Sequence, residues 1–264
     1  IIHFVFGLSE DFGGRPFSLI HYLAIRSAHD CNQPEIIYFH YAHEPSGEWW
    51  GKAKSYLTLH KIEPLREIFG NPLLHYAHMA DVIRLDALLK YGGIYLDMDV
   101  LCVKSFVPLL HFEAVMGDEG PEGLCNAVIM SEPGAAFIRR WYEEYRTFRS
   151  KGKDDYWNEH SVQRPRELAK KYRNEIHIES RFSFFWPGYL QFPLLFGVAP
   201  HRPLFQRLLG HLVQPLTYLI VKRRAYCIHL YESLWWDKYL KTLTPDSIRK
   251  RNRSFEWLFS KFLP

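Results

Sequence analysis

The sequence predicts an α/β fold, with a mostly parallel sheet flanked by helices in a single domain. Apolar, strand-like segments alternate with amphipathic, helix-like segments from the first residue onward. This order is typical of parallel strands joined by right-handed helical crossovers. The 264 residues, of which 47% are hydrophobic and 16% aromatic, suffice for a compact core. Polar loops and acidic residues follow predicted strands, which is where α/β sheets bind their ligands.

The first predicted strand covers residues 1–7 and runs into a glycine turn. After a loop with two further glycines, Pro16 opens a helix that reaches about Ala28. The same periodicities predict later strands at 35–41, 59–62, 114–116, 124–131 and 226–230 and helices at 49–57, 135–148, 159–172, 204–213 and 245–262.

Residues 78–101 carry the strongest local pattern in the chain. Apolar side chains recur at helical spacing from Ala80 to Leu89. Asp81 and Arg84 are three residues apart, so they share one face of that helix. The double glycine that begins at Gly92 supplies the left-handed residue with which helices commonly end.

Two acids follow the double glycine. Alternating apolar residues from Ile94 to Leu101 predict a strand from which Asp97 and Asp99 project to one side. Two carboxylates at the end of an apolar strand are costly unless a cation neutralises them, and Mg²⁺ or Mn²⁺ prefers such oxygen ligands. An Asp-x-Asp triplet also occurs by chance, and Asp97 would then bond to local backbone or to Arg84.

Charge and cysteine content argue against several protein classes. The formal net charge is +4, and residues 249–264 account for it with five basic residues and one acidic residue. The remainder is neutral, which argues against a nucleic-acid-binding surface. The four cysteines have no C-x-x-C spacing, so neither a zinc ribbon nor a disulfide framework is expected. No apolar run reaches the roughly 18 residues of a membrane span, and no signal-peptide pattern is present.

The C-terminal segment, residues 245–264, is predicted to be one basic amphipathic helix. Its aromatic and leucine side chains fall on one helical face behind the basic residues 249–253. Such a helix either lies on an anionic membrane surface or packs its apolar face on the domain.

Residues 78–101, called the central motif below, closely resemble the sugar-nucleotide-binding region of glycosyltransferase family 32. These are DXD-containing enzymes related to the yeast outer-chain mannosyltransferase and to α-1,4-glycosyltransferases. The matching residues are Ala80-Asp81, Arg84, Tyr91-Gly92-Gly93-Ile94-Tyr95-Leu96-Asp97 and Asp99. Weaker matches are the first strand, the strand from Asn126 and the block His229–Trp236. The resemblance implies a GT-A-like, Rossmann-type catalytic domain over residues 1–264.

The resemblance also implies roles for the catalytic residues. Asp97 would contact the ribose and donor sugar, and Asp99 would hold a metal bound to the diphosphate. Asp81 and Arg84 would bond to donor-sugar hydroxyls, and Asn126 would lie near the reacting sugar.

Further donor-binding residues follow from the same resemblance. Phe4 and Phe6 would lie near the base, and Tyr95 would line the nucleotide site. His229, Ser233 and Trp235 would close over the diphosphate, with His229 joining Asp97 and Asp99 as a metal ligand. Position 6 carries Phe where the family usually has Trp, and residues 233–236 read Ser-Leu-Trp-Trp where many members have Ser-Trp.

The implied reaction is Mn²⁺- or Mg²⁺-dependent transfer of a hexose or N-acetylhexosamine from a nucleotide-diphosphate sugar, with retention of configuration. A UDP-sugar is favoured over GDP-mannose, and the acceptor is a glycan or a lipid-linked saccharide. The alternatives are an aspartate-nucleophile phosphohydrolase and a non-catalytic sugar-nucleotide-binding module. The expected location is cytoplasmic, with peripheral membrane contact, or the Golgi lumen if an N-terminal anchor was removed.

Overall fold

The computed structural model describes residues 1–197, 204–250 and 253–264. In these ranges the strands are β1 (Ile2–Val5), β2 (Ile37–Tyr41), β3 (Thr58–Lys61), β4 (Glu67–Ile68), β5 (Asn71–Pro72), β6 (Gly93–Leu96), β7 (Val100–Cys102), β8 (Ala114–Asp118), β9 (Leu124–Ser131), β10 (His177–Glu179) and β11 (Cys227–His229). The α-helices there are α1 (Leu19–Asn32), α2 (Glu48–Ala53), α3 (Tyr76–Tyr91), α4 (Ala136–Glu144), α5 (Arg164–Lys171), α6 (Arg181–Phe184), α7 (Leu204–Arg224), α8 (Glu232–Trp235), α9 (Pro245–Lys250) and α10 (Ser254–Phe259).

Seven of these strands form one sheet in the order β10-β8-β9-β6-β1-β2-β3. The run β3-β2-β1-β6 is parallel throughout, which is one half of a Rossmann-type sheet. On the other side, β9 is antiparallel to both β6 and β8. The structure therefore confirms the predicted α/β class with a mostly parallel sheet.

Hydrophobic cores cover both faces of this sheet. In the central strands β1 and β6, residues alternate between the two cores, as the period-two pattern requires. In β6, for example, Ile94 and Leu96 pack with α1 and the C-terminal segment, whereas Tyr95 packs with α3 and α4. Ligand-binding side chains are consequently left to the strand ends, where the helices do not cover the sheet.

Helix α3 begins four residues earlier than predicted and ends at the double glycine. The ring of His75 accepts a hydrogen bond from the Ala77 amide at 3.1 Å and caps its start. Gly92 and Gly93 have φ angles of 63° and 97°. A Cβ at Gly93 would lie 2.5 Å from the Ile1 carbonyl oxygen, so the turn has no room for a side chain.

The predicted strand from Ile94 to Leu101 is wrong in one respect, because it breaks at the acidic pair. Strand β6 ends at Leu96, and the chain turns with a hydrogen bond of 3.0 Å from the Val100 amide to the Asp97 carbonyl. Strand β7 then leaves the main sheet and pairs with β11 in antiparallel fashion. The break places both acids in a turn at the carboxyl edge of the sheet.

The C-terminal segment is not the single helix predicted for residues 245–264. It consists of α9, α10 and a 3-10 turn at Ser260–Phe262. Its apolar side chains are buried in the core beside α1 and α7, and the Phe255 ring stacks on Phe196 with centroids 4.8 Å apart. The packing alternative therefore holds for this apolar face, which is covered by the domain.

The state of the cysteines and the length of the helices are as expected from the sequence. All four cysteines are free; Cys102, Cys125 and Cys227 are buried and Cys31 is partly buried. Within the part of the chain that the structure describes, no helix combines the length and apolar character needed to cross a bilayer.

Phe255→Ala tests whether the C-terminal segment belongs to the fold. Because the ring is fully buried, its removal leaves a cavity, and we expect a loss of about 3–5 kcal/mol in the free energy of unfolding. Chemical denaturation measures this loss. The exposed Leu234 is the control, where Ala should cost less than about 0.5 kcal/mol. Equal, small losses of unfolding free energy at both positions would contradict the packing of the C-terminal segment in the core.

Candidate active site

A cleft of about 280 Å³ opens at the carboxyl ends of β1 and β6. Side chains from four segments line it, within residues 5–15, 76–84, 95–99 and 229–233. The segments 76–84 and 95–99 belong largely to the central motif. The other two are the end of β1 with the loop after it, and the start of the block His229–Trp236, called the late block below. The sheet thus brings together residues from both ends of the chain.

The buried guanidinium of Arg84 holds one wall of the cleft. Its nitrogens lie 3.1 Å from Asp81 Oδ1 and 3.1 Å from Asp97 Oδ1. It also donates a hydrogen bond of 2.7 Å to the Asn126 carbonyl. The cation stacks over the Tyr95 ring, with 4.4 Å from the guanidinium carbon to the ring centroid. These contacts fix the planar group in one orientation.

Asp81 and Asn126 support Arg84 and are themselves buried. The Asn126 side-chain amide donates to Asp81 Oδ1 at 2.7 Å. Burial raises the pKa of Asp81, and the Arg84 charge opposes that rise. Burial works against the Arg84 cation, but the Asp97 carboxylate and its other neighbours raise its pKa above the ordinary value. Asp81 and Asn126 therefore act through Arg84 in this structure, which lines the cleft itself.

The two acids of the turn have different environments. The Tyr95 hydroxyl donates to Asp97 Oδ1 at 2.7 Å, and the Asp97 carboxylate is 27% exposed to the cleft. Asp99 Oδ2 accepts the Glu232 amide at 2.7 Å, and Asp99 Oδ1 lies 3.3 Å from Nε2 of His229. Burial would raise the pKa of Asp99, yet the His229 cation and these hydrogen bonds lower it to about 2.

Asp97, Asp99 and His229 are arranged so that they can hold a metal ion. One ligand atom from each residue lies within 4.8 Å of the others. Burial alone would lower the pKa of His229, but the neighbouring carboxylates, chiefly Asp99, raise it to about 9. The two carboxylates suit a hard divalent cation such as Mg²⁺ or Mn²⁺, and the imidazole can join them as a ligand once it has lost its proton. Glu119 and Cys125 form a second such set with His229, but its thiol favours softer metals.

The two aromatic residues expected near the base lie in different places. Phe6 follows the end of β1, lines the cleft and stacks on Phe12 with centroids 5.6 Å apart. Phe4 lies within β1 and is completely buried in the core with α1. The expectation for Phe4 is therefore corrected, because helix α1 covers the strand at that point.

The expectation for the late block, that His229, Ser233 and Trp235 all face the diphosphate site, also needs a correction. His229 and Ser233 line the cleft as expected, but Trp235 does not. Tyr231 adopts a left-handed conformation at the start of α8, and Trp235 is partly buried against the core. There it stacks on Phe192, with centroids 5.4 Å apart and rings 8° from parallel.

Sequence reasoning missed several residues of the cleft, among them the linked side chains of Arg15, Tyr76 and Glu232. Arg15 donates to the Tyr76 hydroxyl at 3.1 Å and forms an ion pair of 3.3 Å with Glu232. Glu232 also lies 3.0 Å from the buried ring of His21. The glycine-rich loop before Arg15 was a usable signal, but no local pattern pairs residue 15 with residue 232.

The sequence is similar to one protein family and to several known proteins. The family described as "Glycosyltransferase sugar-binding region containing DXD motif" matches residues 27–116. Glucan organizing enzyme 1 of Cryptococcus neoformans var. grubii is 37% identical over 99% of this chain and 70% of its own length. Inositol phosphoceramide mannosyltransferase 3 of Schizosaccharomyces pombe is 35% identical over 34% of this chain and 31% of its own.

Solved structures also match at low identity. GlyE of Streptococcus pneumoniae, a glycosyltransferase, has a TM-score of 0.47 and 12% identity over 98% of this chain and 63% of that one. LgtC, a galactosyltransferase solved with donor and acceptor sugar analogues, has a TM-score of 0.43 and 15% identity over 94% and 98% of the two chains.

The match to the Cryptococcus protein extends over nearly the whole chain, and the family match includes Asp81, Arg84 and both acids of the turn. The chain belongs to the family 32-like glycosyltransferases that carry a DXD-containing sugar-binding region.

Proposed function

We propose that this glycosyltransferase is metal-dependent and retaining, and that it moves a hexose or an N-acetylhexosamine from a nucleotide-diphosphate sugar to a glycan or glycolipid. The observation that carries the proposal is the position of Asp97, Asp99 and His229, which line the same cleft as Arg84. A divalent cation site beside a fixed guanidinium suits a substrate with a diphosphate and a sugar.

The charge of the leaving group decides what the cleft must supply. Asp99, with Asp97 and His229, would hold Mn²⁺ or Mg²⁺, which when bound stabilises the charge on the departing nucleotide diphosphate. Asp81 and Asp97 already hold the Arg84 guanidinium in place. The group therefore does not have to reorient as charge develops during the reaction. Arg15 adds a second cation on another wall of the cleft.

The family resemblance implies retention, and the described part of the cleft offers no free carboxylate that could act as the nucleophile of a double displacement. Among the described residues that line it, the carboxylates are Asp97, Asp99 and Glu232. The first two belong to the proposed metal site, and Glu232 is paired with Arg15 and His21. A same-face displacement, in which the leaving phosphate accepts the proton of the acceptor hydroxyl, needs no covalent enzyme intermediate.

The names of the relatives favour two refinements of the substrates. One relative is an inositol phosphoceramide mannosyltransferase, and another is a mannosyl phosphorylinositol ceramide synthase of Saccharomyces cerevisiae. Their names support mannose as the transferred hexose and a lipid-linked acceptor. We accordingly propose GDP-mannose beside UDP-sugars as donors to be tested.

Asp99→Asn tests the metal site. Nucleotide release from a panel of UDP- and GDP-sugars with Mn²⁺ should fall by about two orders of magnitude or more, since one charged ligand of the metal is lost. A chelator should have the same effect on the unmodified protein. The control is the exposed Asp237, where Asn should leave release unchanged. A phosphatase activity that Asp97→Asn abolishes, without release from any donor, would overturn the proposal.

Arg84→Lys tests the fixed guanidinium. Lysine keeps the charge but cannot reach Asp81, Asp97 and the Asn126 carbonyl at once. We expect kcat/KM for the donor to fall about tenfold or more, since positioning is lost, while thermal melting shows a folded protein. An unchanged kcat/KM in a folded variant would show that the orientation of this cation is irrelevant to transfer.

The configuration of the product tests the displacement. An α-linked donor should give an α-linked product, which proton NMR of the new anomeric signal identifies. A β-linked product would exclude same-face displacement. It would not contradict the proposed metal site.

A further inference from the structure

Helix α7 exposes a row of apolar side chains over residues 212–224. Leu212, Leu216 and Leu219 are 74%, 58% and 44% exposed. The buried side of the same helix carries the polar Gln214 and Thr217 beside the apolar Val221. A surface helix normally buries its apolar stripe and exposes its polar face, so this arrangement requires an explanation.

The three leucines form one continuous stripe. They are four and three residues apart, which at about 100° per residue places them within roughly 60° of one another. Arg223 follows Leu219 by four residues and continues the stripe. Isolated exposed leucines need no explanation, but an aligned row of them does.

Hydrogen bonds on the buried side fix this orientation of the helix. The Gln214 side-chain amide donates to the Leu194 carbonyl at 2.7 Å. The Ser254 amide donates to Gln214 Oε1 at 2.8 Å, and the Ser254 hydroxyl donates to the Gln214 carbonyl at 2.8 Å. Rotating the leucines inward would leave these buried polar groups without partners, which is costly. The fold therefore holds the apolar stripe outward.

The stripe ends in a basic cluster. Lys222, Arg223 and Arg224 are all exposed, and residues 212–224 contain no acidic residue. The Arg224 guanidinium stacks over Phe182 of α6 at 5.2 Å. Arg223 and Arg224 line a groove of about 400 Å³ together with Phe182 and the stripe residues Leu216 and Leu219.

We propose that this face of α7, Leu212 to Arg224, binds the surface of an anionic lipid bilayer. The leucines would enter the boundary between headgroups and acyl chains, and the basic cluster would contact the anionic headgroups. The three exposed leucines supply the apolar contribution to such binding, and the basic cluster supplies the electrostatic contribution. The proposal goes beyond sugar transfer and does not depend on it.

Vesicle flotation tests the proposal without donor or metal. Vesicles of phosphatidylcholine and phosphatidylinositol, in a ratio of about three to one, provide the anionic surface, and phosphatidylcholine alone is the neutral comparison. We expect the chain to float with the anionic vesicles, and added salt should weaken this binding. Absence of flotation at low salt, or equal flotation with both compositions, would overturn the proposal.

Matched variants locate the binding face. Leu216→Glu should lower the vesicle partition coefficient about tenfold, since it places a charge in the apolar stripe. Leu74, 62% exposed on a distant loop, is the control, where Glu should change nothing. Replacing Lys222 and Arg223 together by Gln should cost about fivefold per charge on anionic vesicles only.

Folding and self-association are checked on the same samples. Circular dichroism and thermal melting should match for all variants, because the substituted side chains are exposed. Equal vesicle binding by Leu216→Glu and the unmodified chain would overturn the proposal. A concentration-dependent dimer in sedimentation that Leu216→Glu abolishes, without vesicle binding, would assign the face to a second copy of the chain instead. Loss of transferase activity with flotation retained would affect only the proposed function.

Discussion

The site depends on one buried cation. Arg84 joins α3 to the turn after β6 through Asp81 and Asp97, and to β9 through the Asn126 carbonyl. A buried guanidinium is tolerated only when its donors are satisfied, and the buried Asp81 carboxylate needs the cation in return. The pair therefore constrains helix, turn and strand together. The proposed metal site begins at the other end of that turn, since Asp97 contacts Arg84 and Asp99 contacts His229.

The central motif could be predicted from sequence because its contacts are local. A spacing of three placed Asp81 and Arg84 together, and the double glycine marked the end of the helix. Long-range features were not accessible in this way. The ion pair of Arg15 with Glu232 joins the two ends of the chain, and His229 entered the prediction through family resemblance alone.

Tertiary packing explains where the structure departs from the expectations. Apolar periodicity shows that a face exists, but tertiary packing decides what covers that face. The family resemblance placed Phe4 near the base, yet α1 covers it. The C-terminal segment had a pattern that fits either a membrane helix or a packed helix, and its aromatic face completes the core. In α7 the hydrogen bonds of Gln214 hold this polar residue inward, and three leucines stay exposed. Only the structure distinguishes these cases.

Calorimetric titration of GDP and UDP tests the central claim most directly. If Asp97, Asp99 and His229 hold a cation that bridges to the diphosphate, one nucleotide should bind with Mn²⁺ and bind at least about tenfold more weakly with a chelator. His229→Gln should weaken the metal-dependent binding, whereas the same change at the solvent-accessible His29, outside the cleft, should not. Equally tight binding with and without metal would contradict the account.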